Sequence, residues 1–405
     1  MAGVLEGLKV VSVEHYVAIP AATVWMADWG AEVIKVEPLT GDMYRGTGRA
    51  GGAGRAVKLG NTEVNWGIQL INRNKKSLAL DLKKNSGRDI LYKLIKGADV
   101  FMSNYQLDAV KKLGLDYNTL SRINPGLIYA FLSGYGTVGP DKDEPGFDNT
   151  ASWARSGMQY LIGEPGSPPP AQRGGMGDRT AAPHVVAGVL AALLHREKTG
   201  KGQELEFSLY HSAVWTLAVD IQSALAGTSP NKDDRTKAQN PLWNSYRAKG
   251  DRWLQLGMTQ SDVYWPNVCR AIDRPELEND PRFAGMNVRR ENCQELIRIM
   301  DEVFASRTRE EWERGLREQG CIYGRIQTPD EVIVDPQALA NDFFVDLNHP
   351  DGRMNVVASP VKFRQNPATV RGPAPEIGQN TEEIFLELGY GWEDIAGLKE
   401  QNVIL

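Results

Sequence analysis

Cysteine is nearly missing from this sequence: 405 residues hold three, Cys269, Cys293 and Cys321, widely spaced and odd in number. Such a set offers neither a disulfide framework nor a CxxC metal site, and it suits a reducing compartment. Histidine is almost as sparse. The five histidines, His15, His184, His195, His211 and His349, include no pair at metal-ligand spacing. No serine lies in a GxSxG elbow, so metal-dependent and serine hydrolysis are disfavoured. Excess positive charge is lacking as well. With a formal net charge of −5, the chain has no basic surplus for a phosphate backbone, and nucleic acid is not an expected partner. Long apolar runs are absent too. The longest, Val185–Leu194, is about half of the ~20 residues that span a bilayer and reads as a buried helix. The N-terminal MAGVLEGLKVVSVEHY carries charges where a secretory signal would be apolar. These absences predict a cytoplasmic protein with no membrane partner, no metal and no permanently bound cofactor.

What is present points to an α/β fold. A chain of this length exceeds one ordinary core, so two domains are expected. Lys9–Val13 reads as a strand, the segment from Pro20 to Gly30 as a helix, and Glu32–Glu37 as a second strand. The pattern recurs with a strand at Leu78–Leu82, a helix at Arg88–Lys96 and a strand at Asp99–Met102. A short helix at Tyr117–Ile123 then leads to a strand at Leu127–Leu132, and Glu204–Phe207 follows later. Strand and helix alternating in this way predict an open, doubly wound parallel sheet of Rossmann-like type. The polar, breaker-rich Thr228–Ala238 marks a boundary. The predicted division is a large domain over 1–225, a small α+β domain over 226–330, and a return link with a C-terminal part of the large domain over 331–405. Two GxGxxG matches, Gly46–Gly51 and Gly134–Gly139, do not join a strand directly to a helix, so dinucleotide-driven hydride transfer is disfavoured.

In such sheets ligands sit beyond the carboxyl ends of the strands. Glu14, His15 and Tyr16 fall there, as do Asn104 and Tyr105, and Gly134, Tyr135 and Gly136. A basic excess lies on the neighbouring loops: Arg45, Arg49, Arg55 and Lys58, then Arg73, Lys75 and Lys76, with Lys111 and Lys112 farther on. It reads either as a solvated face or as a phosphate contact. The stretch Leu127–Gly157 runs from strand through a Gly/Pro-rich loop to a helix that opens at Asp148, a residue read either as a helix cap or as a reactive carboxylate. The Gly174–Gly177 loop is either a turn before a helix at Ala181–Leu194, capped by Asp178, or a mobile cover over chemistry. Asn240–Trp243 is a second candidate cover.

The opening LEGLKVVSVEHYVAIPAATVWMADWGAEVIKVEPLTGD resembles the class III CoA-transferases, which include formyl-CoA transferase. The tracts NRNKKSLALDLK, SNYQLDAVKKLGLDY, SGYGTVGPDKDEPGFDNTASWARSG and APEIGQNTEEIFLELGY extend the likeness in order over nearly the whole chain. Within the family, GPDKDEPGFDNTA and QNPLWNSYRAKGDRWLQL are similar to the 2-hydroxyacyl-CoA transferases, such as those using aryllactates or 2-hydroxyisocaproate. The resemblance implies a large Rossmann-like domain built from both chain ends, a small domain from the middle, and an interlocked homodimer. It implies coenzyme A as substrate and product, acyl-CoA and carboxylic acid substrates as partners, and Asp148 as the nucleophile. It places His15, Tyr16, Asn104, Tyr105, Ala109, Lys112, Leu113 and Tyr135 along the CoA, with Arg73 and Lys75 near them. Val17 stands where formyl-CoA transferase has Gln, and Asn240–Trp243 where it has a glycine run. Both changes imply an acyl group bulkier than oxalate. Gln106 replaces an Arg found in many relatives. The implied reaction passes through an aspartyl anhydride and an aspartyl-CoA thioester. An α-methylacyl-CoA racemase or epimerase is the alternative, but it needs a second base, and no His lies between Asn104 and Asp148. A non-catalytic acyl-CoA-binding protein is the third reading.

Overall fold

A computed structural model describes residues 3–46 and 56–405. The chain divides into two compact units. The larger holds the chain up to Gln159, Ala171–Ser229 and Asp342–Leu405, and the smaller holds Tyr160–Pro170 and Pro230–Asn341.

The larger unit is built on six strands: β1 (Lys9–Val13), β2 (Glu32–Glu37), β3 (Lys76–Ala79), β4 (Val100–Ser103), β5 (Ile128–Ser133) and β6 (Gln203–Ser208). Every pairing among them is parallel, and their order is β3-β2-β1-β4-β5-β6. β4 and β5 read as nearly continuous apolar runs because both faces are covered, while β2 carries Lys35 and Glu37 buried among its apolar residues. Alternation along each strand divides the side chains between two cores. Val10, Met102 and Ala130 pack with α1 (Ala18–Asp28) and with a long helix, α4 (Met176–Thr199). Val11, Phe101 and Phe131 pack with α2 (Asn85–Lys96) and with Ile384 and Phe385 of the helix Thr381–Glu387. Strand order reverses between β1 and β4. At such a switch point the loops leaving the two strands diverge and open a crevice.

The smaller unit has a three-stranded antiparallel sheet, Ser245–Ala248, Arg252–Leu256 and Tyr323–Ile326. It is covered by helices that bury Trp265, Phe304 and Trp312. All three cysteines are buried there as free thiols.

The sequence placed the link from residue 331 in the large domain, whereas the smaller unit runs to Asn341. Its hold is electrostatic: Arg309 Nη2 meets Glu331 Oε1 at 2.6 Å, and Gln327 donates to Asp335. A two-stranded antiparallel hairpin, Phe344–His349 with Gly352–Val357, lies in the C-terminal part of the larger unit. The helix expected at Asp148 is a π-helical segment, Asp148–Ala154. The wide turn shows where Arg155 N–H bonds Thr150 O, five residues back, at 3.1 Å. Among the described residues, no helix is long and apolar enough to cross a membrane.

Candidate active site

The crevice between β1 and β4 opens into a cavity of about 350 Å³ lined by residues of the two diverging loops, by Gln106–Ala109 and by Lys142–Phe147. One side chain ties the two loops together. Asn104 accepts the His15 N–H at 3.0 Å and donates to the His15 carbonyl at 2.9 Å, a reciprocal pair that fixes loop against loop. The rings follow from that register. His15 stacks on Tyr105 with centroids 4.8 Å apart, Tyr16 meets His15 edge-on, and Phe147 meets Tyr16 edge-on at 5.4 Å. Burial, the leading cause, lowers the His15 pKa and pushes the Tyr105 phenol up to about 12. The His15 and Tyr105 rings are therefore uncharged near neutral pH, while Asp108, Lys142, Asp143 and Glu144 line the same cavity.

Phe147 leads directly into Asp148, and here two carboxylates come together. The first turn of α4 packs against the π-helical segment. A Cβ on Gly177 would stand 2.3 Å from Ser152 Oγ and 3.2 Å from Asp148 Cβ, so this contact requires glycine. Asp178, the next residue, follows as the third residue of α4. Burial chiefly, and then the Asp148 charge, push the Asp178 pKa up to about 7 against the pull of Arg179. Asp178 keeps some accessible surface, but it is enclosed enough for desolvation to dominate. The Asp148 pKa is also raised, again by burial first, with the backbone N–H groups of Gly175, Asn149 and Gly177 and the Arg179 charge opposing. Its Oδ2 is buried with no hydrogen-bond partner. A helix start by itself favours the ionised form of a carboxylate. Desolvation outweighs that effect, because the segment's N-terminal N–H groups compensate the burial only in part.

Of the residues expected along a CoA, the structure brings His15, Tyr16, Asn104, Tyr105 and Ala109 to the cavity. Tyr135 stands beside it, following the cavity-lining Gly134, with Arg155 over its ring at 5.4 Å. Lys112 is exposed at the end of α3 (Leu107–Lys112), and the half-buried Leu113 packs into the core on the α2 side of the sheet. Val17 is buried in the core on the other side, its Cγ1 3.4 Å from where a Gly175 Cβ would lie.

Arg73 and Lys75 require correction. Arg73 is 2% exposed, with its guanidinium on Asp28 at 2.7 Å. Lys75 Nζ meets Glu14 Oε1 at 2.7 Å, and burial draws its pKa down to about 8 despite that partner. Arg45 is likewise held by Glu37 at 2.7 Å. These cations compensate buried carboxylates. Lys58 is exposed on a separate hairpin, Ala56–Leu59 with Thr62–Asn65. Arg49 and Arg55, and most of the Gly46–Gly51 match, lie outside the described residues. Arg73→Met is accordingly expected to cost ~3–5 kcal/mol of stability, because Asp28 is left buried and unpaired. The folded fraction should keep its CoA affinity. Denaturant unfolding combined with calorimetric CoA titration measures both.

Sequence reasoning missed Met43, Lys142 and Phe147 on the cavity wall, and it read Asp178 as no more than a cap. The signal for Asp178 was available in GGMGD, where glycines alternate immediately before a carboxylate and a long apolar helix. Among the described residues, no group of three His, Cys, Asp or Glu side chains is placed to hold a metal ion.

Comparison with known proteins bears on this site. A profile described as CoA-transferase family III matches residues 5–381. The (R)-2-hydroxy-4-methylpentanoate CoA-transferase of Clostridioides difficile is 35% identical over 401 residues, covering 99% of each chain. The cinnamoyl-CoA:phenyllactate CoA-transferase of Clostridium sporogenes is 34% identical over 409 residues, covering 99% of this chain and 97% of its own. The crystal structure of a CAIB/BAIF family protein from Brucella suis superposes with a TM-score of 0.84 at 27% identity, covering 96% of this chain and all of that one.

Proposed function

Given that the chain belongs to CoA-transferase family III and is a CoA-transferase, we propose that it moves CoA from an acyl-CoA to a free carboxylic acid through the Asp148–Asp178 pair, with Asp178 as the attacking group. The observation that carries this reading is the meeting of the two carboxylates at the start of α4. The family resemblance implied Asp148 as the nucleophile. Both carboxylates are half-buried, but Asp148 faces three backbone N–H groups that hold its charge, whereas the rise at Asp178 is opposed by Arg179 alone, and backbone donors on a carboxylate blunt its attack. Asp178 also stands in the first turn of a 24-residue helix, where the helix dipole favours negative charge.

The chemistry follows from the pair. An oxygen of ionised Asp178 attacks the thioester carbonyl, the C–S bond breaks, and CoA leaves as thiolate, giving a mixed anhydride. The thiolate then attacks the aspartyl carbonyl, which forms an aspartyl-CoA thioester and releases the first acid as carboxylate. An incoming carboxylate attacks that thioester, giving a second anhydride and thiolate. Attack of the thiolate on the new acyl carbonyl yields the product acyl-CoA and restores Asp178. The nearby Asp148 charge destabilises ionised Asp178 and loses its target once the side chain is acylated and neutral, so it favours the forward step. The aromatic wall of His15, Tyr16, Tyr105 and Phe147 is assigned to the CoA.

Because the reaction needs Asp178 ionised, kcat/KM for acyl-CoA is expected to rise with pH along a limb near 7. Asp148→Asn removes the one carboxylate that raises the Asp178 pKa and should move that limb toward acid. The two groups titrate as a pair, so the shift of the whole profile is the measurement.

Branched or aryl 2-hydroxy and enoyl acids are the proposed substrates. The named relatives act on such acids, and Val17 lies buried against the Gly175 turn. Steady-state exchange with 2-hydroxy-4-methylpentanoate, phenyllactate and cinnamate, set against oxalate, tests this. Preference for oxalate would contradict it. Deuterium wash-in at the α-carbon without acyl exchange would indicate the racemase instead. The same family membership underlies the proposal of an interlocked homodimer, for which sedimentation in solution is the check.

A further inference from the structure

Tyr16 carries one of the few positive φ angles outside glycine among the described residues, +55°. A tyrosine gains nothing from that conformation by itself, and it persists only where neighbouring groups hold it. Here one carboxylate holds it. Asp42 Oδ1 accepts the Tyr16 N–H at 3.2 Å and the Tyr44 N–H at 2.9 Å, while Oδ2 takes Lys35 Nζ at 2.6 Å. The Asp42 N–H is itself bonded to Glu37 Oε2 at 3.0 Å. The Lys35–Asp42 pair is sealed, with side chains 1% and 0% exposed. Sealed ion pairs are poor sources of stability, and fixing one conformation is a use for which they are attested. Tyr16 and Met43, from the two segments gripped by this carboxylate, both line the cavity, and the Tyr16 hydroxyl reaches Met43 Sδ.

We infer that Asp42, charged against Lys35, is a positioning residue that presets the left-handed Tyr16 and with it the aromatic wall that receives the acyl-CoA. The inference rests on the assignment of this cavity to CoA. Asp42 touches no substrate and acts through Tyr16, so its loss should appear in binding rather than in chemistry. Asp42→Ala is expected to raise KM for acyl-CoA and Kd for CoA by about tenfold, since the wall must then be ordered at each binding event. The kcat at saturating acyl-CoA should stay within about threefold.

A double-mutant cycle supplies the specific readout. Tyr16→Gly adopts the same φ without strain and removes the ring, so it should raise KM by itself. Adding Asp42→Ala to it should change KM little further, because the two act as one unit. If Tyr16→Gly raises KM and Asp42→Ala does not, the positioning role is overturned while the cavity assignment stands. If neither Tyr16→Gly nor Tyr105→Ala alters CoA affinity, the cavity assignment itself fails, and this inference with it. Should Asp42→Ala not fold, Asp42→Asn carries the test: a folded Asn variant with unchanged KM and Kd overturns the proposal, and a several-fold rise supports it.

Discussion

Asp178→Asn is expected to lower kcat for CoA transfer by about 10⁴-fold or more, the scale seen when a covalent nucleophile is removed, while acyl-CoA still binds within a few-fold of the parent. The amide keeps the shape of the side chain and removes the attacking charge. It also relieves a strain on the fold. With its pKa pushed up to about 7, folded Asp178 binds more protons than the unfolded chain between the ordinary carboxyl range and neutrality. This group's share of stability therefore falls as pH rises through that window. The Asn variant should melt higher than the parent at pH 8 and show little difference at pH 4, so a loss of activity coupled with a gain in stability is the expected signature. Asp148→Asn should behave differently, retaining turnover at about one-tenth to one-hundredth of the parent, with the acid-shifted profile described above. If instead Asp148→Asn were the dead variant and Asp178→Asn retained turnover, the assignment within the pair would reverse.

The second large effect is steric. Gly177→Ala puts a methyl group where Ser152 Oγ would be 2.3 Å and Ser152 Cβ 2.6 Å away. Both partners are backbone-anchored within helical segments, so the first turn of α4 must shift. Overpacking of this kind costs ~1–3 kcal/mol. A displacement of about 1 Å at a reacting carboxylate can cost ~10² in rate. The expected outcome is a kcat lowered about a hundredfold with KM for acyl-CoA nearly unchanged, because the aromatic wall lies on other segments. Ser152→Gly, which removes both clashing atoms, should restore much of the rate in the double variant. Failure of that rescue, with the protein folded, would mean that the glycine serves some purpose other than close approach.

How far the site could be read in advance depended on which signals were local. The strands at Lys9–Val13 and Glu32–Glu37 lie where their apolar runs place them, because a strand covered on both faces announces itself by composition. The polar residues after β1 and β4 were legible for the same reason: the end of the run fixes where His15 and Asn104 fall. What pairs across the chain was not. Arg73 and Lys75 were open to reading as a solvated face or as phosphate contacts because their partners, Asp28 and Glu14, stand 45 and 61 residues away, and neutralisation within a core leaves no mark on sequence spacing. Asp178 was overlooked for a related reason. Its partner Asp148 is 30 positions earlier, in a π-helical turn that no helical periodicity predicts. The glycine at 177 has meaning only once Ser152 is seen beside it.

One measurement tests the central claim most directly. The protein is incubated with acyl-CoA in the absence of acceptor acid, quenched with hydroxylamine, digested and mapped by mass spectrometry, so that any activated aspartyl carbonyl is recorded as a hydroxamate. A hydroxamate is expected at Asp178, dependent on acyl-CoA, with Asp148 unmodified. A hydroxamate at Asp148 alone, or none at either position in a protein that turns over, would contradict it.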